Sequence, residues 1–78
     1  MTGTPIANEI RRLRFEHGEM TQDALARRAG ITRHTIVALE GCRYGPSLEL
    51  AMRIADIFER RVDEVFFWRD HAPPPPKS

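Results

Sequence analysis

Arg33 and His34 stand side by side in the stretch GITRHTIVALEG, residues 30 to 41. A guanidinium can make two parallel hydrogen bonds to the O6 and N7 acceptors of guanine, and an imidazole can donate to the same atoms. A helix that is buried on one side needs neither side chain. The pair therefore favours either recognition of an acceptor-rich, anionic surface or ordinary exposure to solvent.

Catalytic and metal-binding chemistry receive little support from the other polar residues. His17, His34, His71 and Cys42 are candidate metal ligands, but no two of them have the spacing that metal sites use. The sequence contains no nucleophile–base pair and no Gly-rich phosphate loop, so we expect no enzyme activity, no metal and no cofactor. A redox role for Cys42 is less favoured than that of a small loop residue, because no lysine or second cysteine is adjacent.

Composition favours one small domain. The chain has 78 residues, of which 41% are apolar and 29% charged, and this length is near the lower limit for a single core. No apolar run reaches the ~20 residues that cross a bilayer, and the first residues lack the basic-then-apolar pattern of a signal peptide. A single cysteine excludes an internal disulfide and agrees with a reducing compartment. We therefore expect a cytoplasmic protein.

Charge is unevenly distributed along the chain, although the formal net charge is only +1. Residues 27 to 46 contain four arginines and one acid, whereas residues 48 to 78 contain six acids and five bases. Eleven of the twelve cationic residues are arginine, which is suited to forked contacts with phosphate and base edges. The basic stretch suits an anion-facing surface, with an ordinary solvated face as the alternative.

Helical periodicity predicts the elements that would position these side chains. Apolar residues recur at helical spacing, and no run alternates for long between apolar and polar residues, so we expect an all-α fold of five short helices. The first helix carries Ile6, Ile10 and Leu13 and stops before Gly18.

The second and third predicted helices are joined by a very short connection. Thr21 is the expected N-cap of the second helix, which ends at Gly30 in the left-handed conformation. Thr32 caps the third helix, which runs to about Glu40. Because only Gly-Ile-Thr separates the two helices, residues 21 to about 40 are predicted to form a helix-turn-helix.

The second half of the chain predicts two more helices and a tail. Ser47 follows the loop GCRYGPS and is the expected N-cap of the fourth helix. The apolar stripe of that helix consists of Leu48, Ala51, Ile54, Ala55 and Phe58. A last helical turn contains Val62, Val65 and Phe66. We expect the domain to span residues 6 to 68, followed by a disordered Pro-rich tail at residues 69 to 78. The predicted core consists of Ile10, Leu13, Leu25, Ala29, Ile36, Leu39, Ala51, Ile54 and Phe58.

The third helix has two different faces. At about 100° per residue, Ile36 and Leu39 share one side, which must point into the core. The opposite side is slim, and it carries Arg33, His34, Val37 and Ala38. A helix of this shape can enter the major groove of DNA, where its first turn reaches base edges and small apolar side chains touch thymine methyl groups. The pattern of this helix alone does not decide between DNA binding and ordinary exposure of these side chains to solvent.

The stretch MTQDALARRAGITRHTIVALEGCRYGPSLELAMRIADIF resembles the Cro/C1-type helix-turn-helix family of transcriptional regulators, also called XRE or phage-repressor-like. The resemblance lies in TQ before LA, in AGITRHTI for the turn and recognition helix, in LE, and in YGPSLELAMRIA. It covers about residues 8 to 66 and is greatest to short, stand-alone members. It implies a five-helix, lambda-repressor-like domain that binds operator DNA, usually as a dimer.

The resemblance also implies roles for individual residues. The base-reading positions match Arg33, His34, Val37 and Ala38. The positions that contact the DNA backbone match Gln22, Thr32, Arg43 and Tyr44. A structural ion pair between the first helix and the end of the third matches Arg14 and Glu40.

Two functions of different classes remain open from the sequence. The leading hypothesis is a sequence-specific DNA-binding regulator, a repressor, that binds a palindromic operator as a homodimer in the cytoplasm and is associated with the nucleoid. Phe66, Phe67 and Trp68 exceed what one small helix can bury, so they either cap the core or form the dimer interface. The alternative is an antitoxin or other protein-interaction module that holds a partner protein and autoregulates its own promoter.

Overall fold

The part of the chain that the computed structural model describes, residues 3–76, contains five short helices and one two-stranded sheet. The helices are α1 (Ile10–Glu16), α2 (Gln22–Ala29), α3 (Arg33–Glu40), α4 (Leu48–Ile57) and α5 (Val62–Val65). The strands are β1 (Ile6–Asn8) and β2 (Phe66–Trp68). Along the sequence, the five helices therefore lie between β1 and β2, and the pairing of these strands brings the two ends of the fold together.

The sheet corrects the expected all-α fold. The antiparallel register places Ile6 opposite Trp68, Ala7 opposite Phe67 and Asn8 opposite Phe66. Ile6 lies in a strand and not in the first helix, and Phe66 lies in a strand and not in a last helical turn. Three residues are too few to show an alternating pattern, and such short strands are stable only through packing against other elements. The pairing is therefore a tertiary feature that local sequence does not reveal.

Asn8 marks the point where β1 ends and α1 begins. Its Oδ1 accepts a hydrogen bond from the backbone N–H of Ile10 at 3.2 Å, and its Nδ2 donates to the carbonyl of Leu39 at 2.8 Å. The first contact satisfies one of the unpaired N–H groups at the start of α1, and the second satisfies a carbonyl in the last turn of α3. One side chain thus fixes the start of the first helix relative to the end of the third.

Side-chain caps begin the three central helices at the predicted residues. Thr21, Thr32 and Ser47 each have extended backbone, and each accepts a hydrogen bond from the N–H three residues later. The distances are 3.0, 3.2 and 3.1 Å, respectively. These caps are local in sequence, and for this reason the starts of α2, α3 and α4 could be predicted.

The predicted core is confirmed. Each of its nine residues is at most 5% exposed, including Ile36 at 0% and Leu39 at 1%. The structure adds five further buried residues to this cluster, namely Met20, Ala26, Ala55, Val65 and Phe66. The core therefore receives side chains from all five helices and from β2.

Leu48 departs from the predicted apolar stripe of α4. Its side chain is 73% exposed, and Met52, one turn further along, is 55% exposed. Helical periodicity identifies the side of a helix that faces the core, but it does not show where along the helix the neighbouring elements end. Leu48 is the first residue of α4, and the buried part of the stripe begins one turn later, at Ala51.

The residues after Trp68 form no helix or strand up to residue 76, and all of them are exposed. Residues 77 and 78, which complete the predicted tail, lie outside the described residues. The expected disorder of this tail stays a prediction.

Ile36→Ala should lower the free energy of unfolding by roughly 2–5 kcal/mol, because it removes buried methyl groups and leaves a cavity. Val37→Ala is the matched control, since Val37 is the next residue of α3 and is 41% exposed. The control should change stability by less than about 0.5 kcal/mol. Denaturant unfolding of both variants measures the difference, and equal losses would contradict the helix phase described above.

Candidate nucleic-acid interface

The exposed face of α3 is narrow and carries a positive charge at its N-terminal end. Arg33, His34 and Val37 are exposed and Ala38 is half-buried, while the opposite face of the helix is fully buried. The first turn contains no acidic residue. The structure therefore brings the four predicted base-reading residues together on one accessible surface.

A tight turn sets the position of α3 relative to α2. Only Gly30, Ile31 and Thr32 separate the two helices. Gly30 has φ 73°, a left-handed conformation that a side chain disfavours, and the N–H of Ile31 donates to the carbonyl of Ala26 at 3.0 Å. The turn is thus closed by backbone hydrogen bonds, which makes the α2–α3 connection a rigid one.

An ion pair fastens the C-terminal end of α3 to α1. The guanidinium of Arg14 donates from Nε to Oε2 of Glu40 at 2.7 Å and from Nη2 to Oε1 at 3.2 Å. The two side chains are only 13% and 12% exposed. This forked geometry is the strongest form of an arginine–carboxylate contact.

Two further hydrogen bonds extend this ion pair to the start of α2. Nε2 of Gln22 donates to Oε1 of Glu40 at 3.2 Å, and Nη1 of Arg14 donates to the carbonyl of Met20 at 2.9 Å. The carboxylate of Glu40 therefore receives donors from both α1 and α2. Gln22 is the first residue of α2, as expected from the sequence, and its side chain is hydrogen-bonded to the last residue of α3.

The loop after α3 folds back onto the end of that helix. The N–H of Gly41 donates to the carbonyl of Val37 at 3.0 Å, and the N–H of Arg43 donates to that of Ala38 at 3.1 Å. Cys42 lies between them with φ 56°. Arg43 and Tyr44 are exposed, so their side chains extend from a loop whose backbone is fixed to α3.

The aromatic run in β2 is divided between core and surface. Phe66 is 8% exposed and belongs to the core of the protomer, whereas Trp68 is 38% exposed. Phe67 is half-buried, and its ring stacks on that of His71 with centroids 5.9 Å apart. A dimer interface on this segment remains a prediction, and the side chains that could serve it are those of Trp68 and Phe67.

The described residues contain no group of three or more histidine, cysteine or acidic side chains that could hold a metal ion. Between residues 3 and 76, no buried side-chain nitrogen or oxygen lacks a hydrogen-bond partner. No helix in this range is both long and apolar enough to span a membrane.

Comparison with known proteins identifies the family to which this chain belongs. Residues 5–65 match the family model described as a helix-turn-helix domain. The chain belongs to the helix-turn-helix domain family. An uncharacterized HTH-type transcriptional regulator from Archaeoglobus fulgidus is 46% identical over 61 residues, which cover 78% of this chain and 86% of the relative. Another, from Methanothermobacter thermautotrophicus, is 52% identical over 58 residues, which cover 73% and 83% of the two chains.

The fold of this helix-turn-helix chain also resembles a solved structure. A crystal structure of a candidate DNA-binding protein from Bacteroides fragilis matches with a TM-score of 0.69. The match covers 78% of this chain and 97% of the other at 21% identity, which supports the fold. Together with the curated relatives, the family match confirms the resemblance to Cro/C1-type regulators.

Asn8 is the positioning residue that the periodicity did not identify. It links β1, the start of α1 and the last turn of α3 through the two hydrogen bonds described above. An asparagine just before an apolar helical run is a known start signal, and it would have placed the beginning of α1 after Asn8. Its contact with Leu39, by contrast, spans 31 positions of the sequence and carries no local signal.

Arg14→Met should lower the free energy of unfolding by about 3 kcal/mol, because the Glu40 carboxylate would lose its arginine partner in a poorly solvated site. Arg12→Met is the matched control on the same helix, since Arg12 pairs with Glu9 and Glu16 at an exposed surface. That variant should lose less than about 1 kcal/mol.

The double variant Arg14→Met, Glu40→Leu should recover part of the stability lost by Arg14→Met, because no unpaired charge remains. Thermal and denaturant unfolding provide the comparison. If Arg14→Met costs no more than Arg12→Met, the ion pair does not have the structural role described here.

Proposed function

We propose that this chain is a sequence-specific regulator of transcription that reads duplex DNA with the exposed face of α3. The observation that carries the proposal is the asymmetry of this helix. Ile36 and Leu39 anchor one face in the core, while the face that carries Arg33 and His34 is accessible and held in place by Glu40. A helix with a slim, polar first turn fits the major groove, where base edges differ from one base pair to the next.

Arg33 and His34 have the reach and the hydrogen-bonding groups to read bases. We assign Arg33 to a guanine, whose O6 and N7 accept both donors of the guanidinium fork. His34 donates one hydrogen bond when neutral and two when protonated. Val37 and Ala38 follow one turn later on the same face, where apolar contact with a thymine methyl group is the favourable interaction.

Four residues around α3 would contact the DNA backbone, namely Gln22, Thr32, Arg43 and Tyr44. Oγ1 of Thr32 accepts a hydrogen bond from the N–H of Thr35. The hydroxyl hydrogen of Thr32 can still donate, either to a phosphate or to the Thr35 hydroxyl. Arg43 and Tyr44 extend from the loop that is bonded to the end of α3. Phosphate contacts of this kind fix the register of the helix on the duplex without reading sequence.

We further propose that two copies bind an approximately palindromic operator as a homodimer and repress transcription by occupying it. One short helix reads only a few base pairs, so a single copy would bind weakly and with little specificity. A two-fold dimer doubles the contact, and it requires half-sites about one DNA turn apart, roughly 34–36 Å. The exposed part of β2 at Trp68 is the proposed interface.

Replacing Arg33 or His34 by alanine should change sequence preference and leave the fold intact, because both side chains are exposed. Arg33→Ala should weaken binding to the preferred sequence by about 1–3 kcal/mol, with a much smaller loss on random duplex. The effect of His34→Ala should be smaller, because an imidazole does not make the forked pair of hydrogen bonds that a guanidinium makes to guanine. Selection of preferred sequences from a random pool is the measurement.

The control for this selection is Val62→Ala, a substitution in α5, which contributes no residue to the proposed DNA-binding surface. This variant should preserve the preferred sequence. If the preferred sequence of both Arg33→Ala and His34→Ala equals that of the unsubstituted chain, these two residues do not read bases.

Trp68→Ala should give a folded monomer with reduced operator affinity, because it removes the exposed ring of the proposed interface. Leu48→Ala is the control, since Leu48 is a more exposed apolar side chain on α4. Sedimentation velocity over a range of concentrations measures the dimer content. Dimerisation that survives Trp68→Ala would place the interface elsewhere, and its loss in Leu48→Ala would indicate α4.

A further inference from the structure

The arginines of this chain divide into two groups. Six of the eleven have a protein partner: five pair with carboxylates, and Arg69 donates to the carbonyl of Thr4. Within residues 3–76, the structure gives no ion pair to the other five, which are Arg11, Arg27, Arg28, Arg33 and Arg43. Two of this second group, Arg33 and Arg43, are already part of the proposed DNA-binding surface.

Arg11 lies on the same surface groove as Arg33. The groove is formed where α1, the start of α2 and one side of α3, from Arg33 to Glu40, meet. Arg11 contributes from α1 and Arg33 from α3, and Thr21 and Gln22 also line the groove. The groove therefore extends the basic surface from the recognition helix onto α1, an element that the sequence did not connect with DNA.

The electrostatics of this groove favour an anion. Its arginines are Arg11, Arg14 and Arg33, and its carboxylates are those of Asp23 and Glu40. The charge of Glu40 is already compensated by Arg14 and by the amide of Gln22. Of the lining carboxylates, only that of Asp23 therefore opposes Arg11 and Arg33. The groove keeps a net charge of +1, which attracts a phosphate.

We propose that Arg11 contacts a DNA backbone phosphate in this groove, so that α1 forms part of the DNA interface. The inference rests on the proposed function, and it adds a residue and a helix to it. When the first turn of α3 enters the major groove, the sugar–phosphate backbone that borders that groove passes beside the same turn. The Arg11 guanidinium is then on the side of α3 from which this backbone can be reached.

Arg12 provides an internal comparison for Arg11. The two residues are adjacent in α1, and both are exposed. Arg12 donates to Glu9 at 3.1 Å and to Glu16 at 2.7 Å, and these two carboxylates raise its pKa. Arg12 therefore already forms ion pairs with Glu9 and Glu16, and it does not line the groove. Its replacement removes the same formal charge at almost the same place in the chain.

The test is titration of a short random-sequence duplex at several salt concentrations with Arg11→Gln, Arg11→Lys and Arg12→Gln. Random duplex is suitable because a phosphate contact is independent of sequence. Arg11→Gln should weaken binding, and the slope of log affinity against log salt should become shallower by about 0.9. Arg11→Lys should keep the original slope, and Arg12→Gln should change it little.

Asp23→Asn provides a test in the opposite direction. Removal of the one uncompensated carboxylate in the groove should tighten binding to the same duplex. Equal slopes for Arg11→Gln and Arg12→Gln would overturn the Arg11 contact while leaving the proposed function intact. Failure of the unsubstituted chain to bind duplex DNA even at low salt would overturn both.

Discussion

The forked ion pair between Arg14 and Glu40 is the interaction on which the geometry of this protein depends. Glu40 ends α3, and its carboxylate receives hydrogen bonds from Arg14 in α1 and from Gln22 at the start of α2. Arg14 also satisfies the carbonyl of Met20 in the loop between α1 and α2. Three helices thus meet at one carboxylate.

Asn8 adds a second connection by donating to Leu39 in the last turn of α3. Polar contacts therefore hold α3 near its C-terminus, the core holds its inner face, and its outer face stays accessible.

This arrangement explains how so small a core supports a defined surface. The fully buried side chains of α3 fix its rotation about its own axis, because any rotation would expose Ile36 or Leu39. The hydrogen-bonded turn at Gly30 fixes its start, and the ion pair fixes its end. A surface that reads bases must be held within a fraction of an ångström, and these constraints act on both ends of the helix. The same constraints fix the loop that carries Arg43 and Tyr44, because its backbone N–H groups are hydrogen-bonded to carbonyls of α3.

The features that could be predicted from the sequence are those that local chemistry determines. The N-caps Thr21, Thr32 and Ser47, the left-handed Gly30 and the buried core positions each have a signal within a few residues. The strands were missed because Ile6 and Trp68 pair across almost the whole chain, and each strand has only three residues. Leu48 was placed in the apolar stripe of α4 although it is exposed, because periodicity does not show where neighbouring elements end. In the candidate site, the face of α3 followed from its helical phase, whereas the groove shared by Arg11 and Arg33 depends on how three helices meet.

We propose that the outer face of α3, positioned by Glu40, is the surface that meets DNA. The most direct measurement is the change in backbone amide resonances when a duplex is titrated into the isotope-labelled chain. We expect the largest changes at Gln22, along residues 32 to 38 and at residues 43 and 44, with little change in the second half of α4. Changes confined to α4 or to β2, with the resonances of α3 unaffected, would contradict it.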